Sequence, residues 1–195
     1  MEIIPCVTLK KINLKNFFIS EKDISSYIKE GEKLYILDLD GIEKNRQNLE
    51  FYQKISLLYD LWIDCGPRNI GDVVDIFMTG ATSITIRRQF YPLLNLSDIR
   101  DISENKVYLN IDFQDYKNFN NLNLFLKDYD GFVNFKSKEE IEGEIYLNEY
   151  INKLHRYNKI YCYENNVKNY IFWKRFDLDG LIIDIKKIKE FKNAI

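Results

Sequence analysis

The sequence has 195 residues, a formal net charge of −2, 46% hydrophobic residues and 30% charged residues. This composition excludes a largely disordered chain, and the length favours one domain spanning 1–195. The small net charge gives no reason to expect nucleic acid or an anionic membrane as a partner, because neither would meet an excess of basic residues. No apolar run approaches the roughly 20 residues of a membrane span, and the N-terminus lacks signal-peptide features, so we expect a cytoplasmic protein.

Few residues favour metal or redox chemistry. Cys6, Cys65 and Cys162 lie far apart in the sequence, without a Cys-x-x-Cys pair, which favours reduced thiols over a disulfide or zinc site. The single histidine, His155, falls in a segment of helical pattern and is expected at a solvated helix position. Acid–base chemistry would therefore fall to carboxylates, lysines, tyrosines or thiols, and no cofactor is predicted.

The chain alternates between strand and helix patterns. Strands are predicted at 3–9, 34–40, 61–65, 83–87, 107–112, 132–136, 160–164 and 181–184. Helical patterns lie between them, beginning with a helix that Ser20 caps, and the asparagine-rich segment 114–128 is predicted to be a loop with a short helix. Eight such units predict an α/β fold, a compact (β/α)8 barrel with short loops and trimmed helices. The alternative is an open, doubly wound sheet.

Alternation of side chains along each strand predicts which residues face the barrel interior. The stretch 34–41 would place Ile36, Asp38 and Asp40 on one face, with the two carboxylates reaching the rim. Strand 132–136 would turn Asn134 and Lys136 inward and Val133 and Phe135 outward. The other residues expected to face inward are Ile4, Cys6, Thr8, Thr85, Arg87, Tyr108, Asn110 and Asp112.

Polar residues are thus expected to gather at the C-terminal rim, where barrel enzymes have their active sites. The predicted rim residues are Thr8, Asp38, Asp40, Asp64, Arg68, Arg87, Asp112, Asn134, Lys136, Glu164 and Asp184. The alternative to an active site is an internal ion-pair network, with Arg87 bridging Asp64 or Asp112 and Lys136 bridging its neighbours.

Several short runs resemble a known family. They are IIPCVTL (3–9), LDLDG (37–41), DCGPRN (64–69), TGA (79–81), LNID (109–112) and DGLII (179–183). Through these runs the chain resembles the histidine-biosynthesis isomerase that acts on phosphoribosylformimino-5-aminoimidazole carboxamide ribotide, and its cyclase relative. The resemblance implies a barrel of two related halves, 1–104 and 105–195. Such halves would pair Thr8 with Asp112, Asp40 with Lys136, and Arg87 with Asp184.

The sequence also departs from this family. The resemblance implies catalytic aspartates at the ends of the first and fifth strands, but the first position is Thr8 and only Asp112 is retained. The family's two phosphate sites imply glycine-rich loops, because glycine lets amide groups approach an anion closely. The matching positions here read DCG (64–66), RR (87–88), NN (165–166) and DI (184–185). We therefore expect a divergent, isomerase-related protein of the type found in methanogens and methylotrophs, and not the histidine-pathway isomerase itself.

Three functions follow as hypotheses. In the first, Arg68, Arg87 and Arg88 clamp a small anionic or phosphorylated metabolite, Asp112 is the general base of an isomerase or lyase, and Asp40 or Lys136 is its partner. The other predicted substrate-binding residues are Thr8, Asp38, Asp64, Glu164 and Asp184.

In the second hypothesis, Lys136 forms a Schiff base with a carbonyl substrate. Asp38, Asp40 and Asp64 are a further candidate set, for a Mg²⁺ ion. In the third, the chain is a non-catalytic binding or scaffold protein with an adhesive aromatic surface, for which its 14 tyrosines are a candidate source. A homo-oligomer is left open.

Overall fold

Eight parallel strands close into a barrel in this computed structural model, which describes residues 1–12, 15–17, 21–113, 126–141 and 144–194. Each strand pairs with the next along the chain, and the first pairs with the last. The strands are β1 (Glu2–Ile12), β3 (Lys33–Asp38), β4 (Asp60–Asp64), β5 (Ser83–Ile86), β6 (Lys106–Ile111), β7 (Gly131–Asn134), β8 (Lys159–Tyr163) and β9 (Gly180–Asp184). A short strand, β2 (Lys15–Phe17), pairs antiparallel with the end of β1. The predicted (β/α)8 barrel is confirmed.

Short helices alternate with these strands, as the chain length requires. They are α1 (Glu21–Ser25), α2 (Leu39–Lys44), α3 (Leu49–Ser56), α4 (Ile70–Met78), α5 (Leu96–Ile102), α6 (Glu144–His155), α7 (Tyr170–Lys174) and α8 (Ile188–Ala194). Single 3₁₀ turns lie at 88–93, 138–140, 167–169 and 185–187. Among the described helices, none has the length and apolar character needed to cross a membrane. The predicted cap Ser20 and most of the segment 114–128 lie outside the described residues.

Aromatic side chains fill the barrel interior. Tyr35, Trp62, Tyr108 and Tyr161 are buried there, and the ring centroids of Trp62 and Tyr108 are 3.9 Å apart. Glycine makes room for one of these rings, because a Cβ on Gly131 would lie 3.0 Å from the Tyr108 ring. The smaller interior residues are Ile4, Cys6, Leu37, Val133 and Ile182. A second, larger apolar layer lies between the sheet and the helices.

The predicted alternation is confirmed in three strands and wrong in two others. In β1, Ile4 and Cys6 face inward, as expected. In β5, Ile84 and Ile86 face the outer layer, as expected, and in β6 Tyr108 faces inward.

In β3, by contrast, Tyr35 and Leu37 face inward and Ile36 faces outward. In β7 it is Val133 that faces inward and Phe132 that packs in the outer layer. Large apolar side chains occupy the interior, and polar residues at the same strand ends find partners outside it.

The cysteines are free and buried, in agreement with the prediction of reduced thiols. His155 ends α6 half-buried, with Nδ1 3.8 Å from Asp179 Oδ2, so the expectation of a solvated histidine is wrong.

Candidate functional site

A buried ion pair links the C-terminal ends of β4 and β5. Asp64 ends β4, and Arg87 follows β5 directly. The Arg87 guanidinium contacts both oxygens of the carboxylate, with Nε 2.9 Å from Oδ1 and Nη2 2.7 Å from Oδ2. The Asp64 side chain is fully buried, whereas 17% of the Arg87 side chain remains exposed. The predicted bridge between Arg87 and Asp64 is therefore present.

Hydrogen bonds inside the barrel hold this pair in place. The Tyr35 hydroxyl donates to Asp64 Oδ2 at 2.8 Å and lies 3.1 Å from Thr85 Oγ1, which also accepts from Trp62 Nε1 at 2.9 Å. Burial opposes the charge on Arg87, but the attraction and hydrogen bonds of Asp64 outweigh it, so the pKa of this guanidinium is raised. Arg87 is thus a fixed cation with one defined orientation.

The opposite side of the Arg87 guanidinium faces the mouth of the barrel. Its Cζ lies 4.4 Å from the centroid of the Phe135 ring, a cation–π contact. Asp64 occupies the edge formed by Nε and Nη2, and Nη1 has no hydrogen-bond partner among the described residues. An arginine held on one edge in this way has a second edge with the geometry to bind an anion.

Asp112 and Lys136 form a second, more open pair beside the first. Asp112 follows β6 directly, and Lys136 lies two residues beyond β7. Lys136 Nζ is 3.9 Å from Asp112 Oδ2, and each side chain is about one third exposed, at 36% and 35%. Because β4, β5, β6 and β7 are neighbours in the sheet, the two pairs lie on four adjacent strand ends. A carboxylate and an ammonium group accessible at a barrel rim can exchange protons with a ligand.

Two further arginines lie on the loops after β4 and β5. Arg68 Nη2 donates to the Ile42 carbonyl at 3.3 Å, and its Cζ lies 4.9 Å from the Phe90 ring. Its Nε is buried and has no hydrogen-bond partner in the part of the chain that the structure describes. Arg88 begins the 3₁₀ turn at 88–93. Burial raises the pKa of Tyr150, Arg88 lowers it and Asp112 raises it, so both charges lie close to that hydroxyl. Tyr150 belongs to the outer apolar layer.

Asp38 does not face the barrel mouth, so the prediction for its direction is wrong. Oδ1 accepts from the Gly41 amide at 3.1 Å as the cap of α2. Oδ2 accepts from the backbone and side-chain nitrogens of Asn48 at 3.0 and 2.8 Å and from the Tyr52 hydroxyl. Tyr52 belongs to the outer apolar layer. Asp38 therefore joins β3 to α2 and α3.

Glu164, after β8, also faces outward, contrary to the sequence prediction. Oε1 accepts from the Asn166 amide at 2.8 Å, and Oε2 accepts from Asn169 Nδ2 at 3.0 Å and Trp173 Nε1 at 2.9 Å. Trp173 is part of the outer layer. The carboxylate is buried and organises the connection from β8 to α7.

Asp40 and Asn134 are likewise bound internally. Asp40 is buried in α2 and accepts from Lys44 Nζ at 2.7 Å. Asn134 Nδ2 donates to the Lys136 carbonyl at 2.7 Å and lies 4.0 Å from Cys162 Sγ, in the outer layer. Neither side chain is directed at the Asp112–Lys136 pair.

Thr8 and Asp184 complete the predicted set on the other side of the barrel. Thr8 is exposed at the rim. Asp184 Oδ1 accepts from the Lys186 amide at 2.9 Å and caps the turn at 185–187. Burial raises the pKa of Cys6, and nearby Asp184 raises it further, which places this carboxylate next to the interior of β1. Both residues remain at the C-terminal end of the barrel, as expected.

Four residues at the barrel mouth were not predicted as site residues. Leu39, Ile42, Phe135 and Tyr163 are half-buried and pack on top of the interior cluster; we call them the mouth surface. The Phe135 and Tyr163 rings are 5.6 Å apart. The sequence prediction put Phe135 on the same face as Val133 but took that face for the outer one, whereas both residues pack with the interior cluster.

The three carboxylates considered for Mg²⁺ do not converge. Asp38 binds Asn48 and Tyr52, Asp40 binds Lys44, and Asp64 binds Arg87. Among the described residues, no three His, Cys, Asp or Glu side chains are grouped as a metal site would require.

No protein-family model matches the sequence, and a search of curated proteins finds no significant match.

Proposed function

We propose that this barrel is an isomerase- or lyase-type enzyme that binds a small anionic metabolite at its C-terminal rim. The observation that supports this most directly is the arrangement on three adjacent strand ends. The oriented guanidinium of Arg87 lies at β5, and the accessible Asp112–Lys136 pair spans β6 and β7. An anion on Arg87 would bring the body of the ligand beside a carboxylate and an ammonium group.

In this proposal Asp112 is the general base. It would remove a proton from the carbon next to a carbonyl group of the ligand, and the negative charge would develop on the carbonyl oxygen. Lys136, with Nζ 3.9 Å from Asp112 Oδ2, would stabilise that oxygen and return a proton. Lys136 is preferred over Asp40 as the partner, because Asp40 is buried in α2 and bound to Lys44.

The proposal does not extend to the histidine-pathway reaction. Thr8 stands where the resemblance implies a first catalytic aspartate, and a hydroxyl is a far weaker base than a carboxylate. Positions where that family holds phosphate carry Asp64 and Asp184, which would repel a phosphate.

The scaffold hypothesis has less support. Every aromatic side chain whose exposure the structure describes is buried or half-buried, so these residues form no adhesive aromatic surface. The exposed large apolar residues among the described side chains are aliphatic or methionine, such as Leu57, Met78 and Ile171.

Proton abstraction can be tested before the substrate is known. A panel of carboxylated and phosphorylated aldehydes and ketones is incubated in D₂O with the protein, with and without Mg²⁺, and deuterium uptake is read by mass spectrometry. We expect uptake next to the carbonyl of a panel member, lost in Asp112→Asn and retained in Asp98→Asn, an exposed aspartate in α5. Uptake unchanged in Asp112→Asn would reject Asp112 as the base.

The Schiff-base hypothesis predicts a different result. Borohydride would then join a carbonyl ligand covalently to wild type and not to Lys136→Met, with the mass increase located on the peptide that contains residue 136. A covalent adduct on Lys136 would replace the acid–base role proposed here.

A further inference from the structure

The chemistry of the barrel mouth narrows the class of ligand, if the anion site proposed above is correct. The mouth surface places Leu39 and Ile42 on the β3 side and Phe135 and Tyr163 on the β7 and β8 side. All four are half-buried, so each has apolar area left to cover. A ligand lying over these side chains would gain free energy by removing that area from water.

Two hydroxyl groups next to this surface already have hydrogen-bond partners within the protein. The Tyr35 hydroxyl donates to Asp64, and the Tyr163 hydroxyl accepts from Asn165 Nδ2 at 2.7 Å. A polyhydroxylated sugar needs many hydrogen-bond partners along its length, and this part of the mouth presents rings and aliphatic groups instead.

The balance of charge favours a ligand with one negative charge. Two cations, Arg87 and Lys136, pair with two carboxylates, Asp64 and Asp112, so these two pairs have no net charge. A carboxylate disturbs that balance less than a phosphate dianion does. The planar Arg87 guanidinium also matches the two oxygens of a carboxylate.

We propose that the ligand is an aromatic monocarboxylate, with its carboxylate on the outer edge of Arg87 and its ring over the mouth surface. The guanidinium already lies against the Phe135 ring, at 4.4 Å from Cζ to the centroid. A carboxylate bound to this guanidinium would lie near Phe135, whose ring centroid is 5.6 Å from that of Tyr163. Substrate recognition would then combine one charged contact with ring burial.

The test uses simple probes and the full chain. Binding of 4-fluorobenzoate is followed by fluorine NMR. The affinities of five competitors are then ranked by the amount of fluorobenzoate that each displaces: benzoate, acetate, benzamide, phenyl phosphate and ribose 5-phosphate. The pH is about 8, because phosphate monoesters are dianions there. Burial of about 60 Å² of ring would make benzoate about tenfold tighter than acetate. Benzamide, which has the ring without the charge, should bind at least about tenfold more weakly than benzoate.

Two variants locate the site. Phe135→Leu keeps an apolar side chain but removes the ring, and should bring the affinity for benzoate close to that for acetate. Phe77→Leu, the same change at a half-buried ring of α4 in the outer layer, should leave the order of ligands unchanged. The unfolding midpoint of each variant is measured alongside, and the ranking on wild type stands even if Phe135→Leu fails to fold.

The outcomes separate this inference from the proposed function. Tighter binding of ribose 5-phosphate than of benzoate would overturn the aromatic carboxylate and leave an anion-binding rim in place. Tighter binding of phenyl phosphate than of benzoate would overturn the choice of carboxylate. Failure of every anion to bind would overturn both proposals.

Discussion

Arg87 has a structural cost as well as a proposed role in binding. Its partner Asp64 is fully buried, and a buried ion pair recovers only part of the free energy lost when both charges leave water. A protein selected for stability alone would do as well with apolar residues of similar size at these positions. The presence of this pair next to the barrel mouth therefore agrees with a role of the exposed Arg87 edge in binding an anion.

Removal of Arg87 alone should destabilise the fold. Arg87→Ala would leave the Asp64 carboxylate buried without its cation, and we expect a loss of about 3–5 kcal/mol in the free energy of unfolding. The double variant Asp64→Leu/Arg87→Met, which removes both charges, should recover most of this loss. Urea unfolding measures both effects.

An exposed ion pair provides the control for this prediction. Lys187 and Glu190 are 2.9 Å apart, with side chains 45% and 51% exposed, so Lys187→Ala should cost less than about 1 kcal/mol. Equal losses in Arg87→Ala and Lys187→Ala would show that the Asp64–Arg87 pair does not act as a buried pair.

At the scale of secondary structure elements, carboxylates at strand ends connect the barrel to its helices. Asp38 binds four groups that belong to Gly41, Asn48 and Tyr52, across the start of α2 and α3. Glu164 has the equivalent function between β8 and α7. Where a carboxylate at the end of a strand faces the outer layer, it accepts hydrogen bonds from the loop that follows the strand.

Asp38→Ala should therefore loosen this part of the barrel. The change leaves buried donors of Gly41, Asn48 and Tyr52 without an acceptor, and each such group costs about 1–3 kcal/mol. We expect a loss of at least about 2 kcal/mol in the free energy of unfolding, with faster amide exchange in 39–56 than in 96–102. Asp98→Ala, at the exposed start of α5, is the matched control and should cost less than about 1 kcal/mol.

The elements were predictable from the sequence, but the direction of their faces was predictable only in part. Alternation shows which residues share a face of a strand, and it does not show which face is the interior. In β5 the expectation of polar Thr85 and Arg87 inside was confirmed, because they bind Tyr35, Trp62 and Asp64 there. In β3 and β7 the same expectation failed, because Asp38 and Asn134 find their partners in the outer layer.

For the candidate site, only some of the residues just beyond the strands were placed correctly, since Glu164 after β8 faces outward. Asp112 and Lys136 were predicted at the rim and do lie beside each other. The mouth surface was missed, because Phe135 was assigned to the outer face together with Val133. Only packing against Tyr35 and Tyr163, which are distant in the sequence, reveals that this ring lies at the mouth.

At the scale of the whole molecule, a barrel filled with tyrosine and tryptophan should be sensitive to alkali. Burial is the main cause that raises the pKa of both Tyr161 and Tyr163 to about 12, and it also raises the pKa of Tyr35 and Tyr108. An unfolded tyrosine titrates near pH 10, so the folded state holds these protons more tightly. Their contribution to stability is complete below pH about 10 and is lost as the pH rises through about 12.

Urea unfolding across this range provides the measurement, with tyrosinate absorbance recorded on the same samples. We expect the free energy of unfolding to be constant up to pH about 9 and to fall steeply above pH about 10, with the tyrosinate signal of the buried rings appearing together with unfolding. Tyr161→Phe removes one such group and should reduce the slope of the free energy of unfolding against pH above pH about 10. Replacement of Tyr27 is the control, because its half-buried side chain lies in the outer layer under Lys189. It should leave that slope unchanged. A free energy of unfolding that stays level through pH about 11, or full tyrosinate absorbance in the folded protein, would show that the interior rings are open to water. The barrel would then lack the closed aromatic interior on which the mouth surface rests.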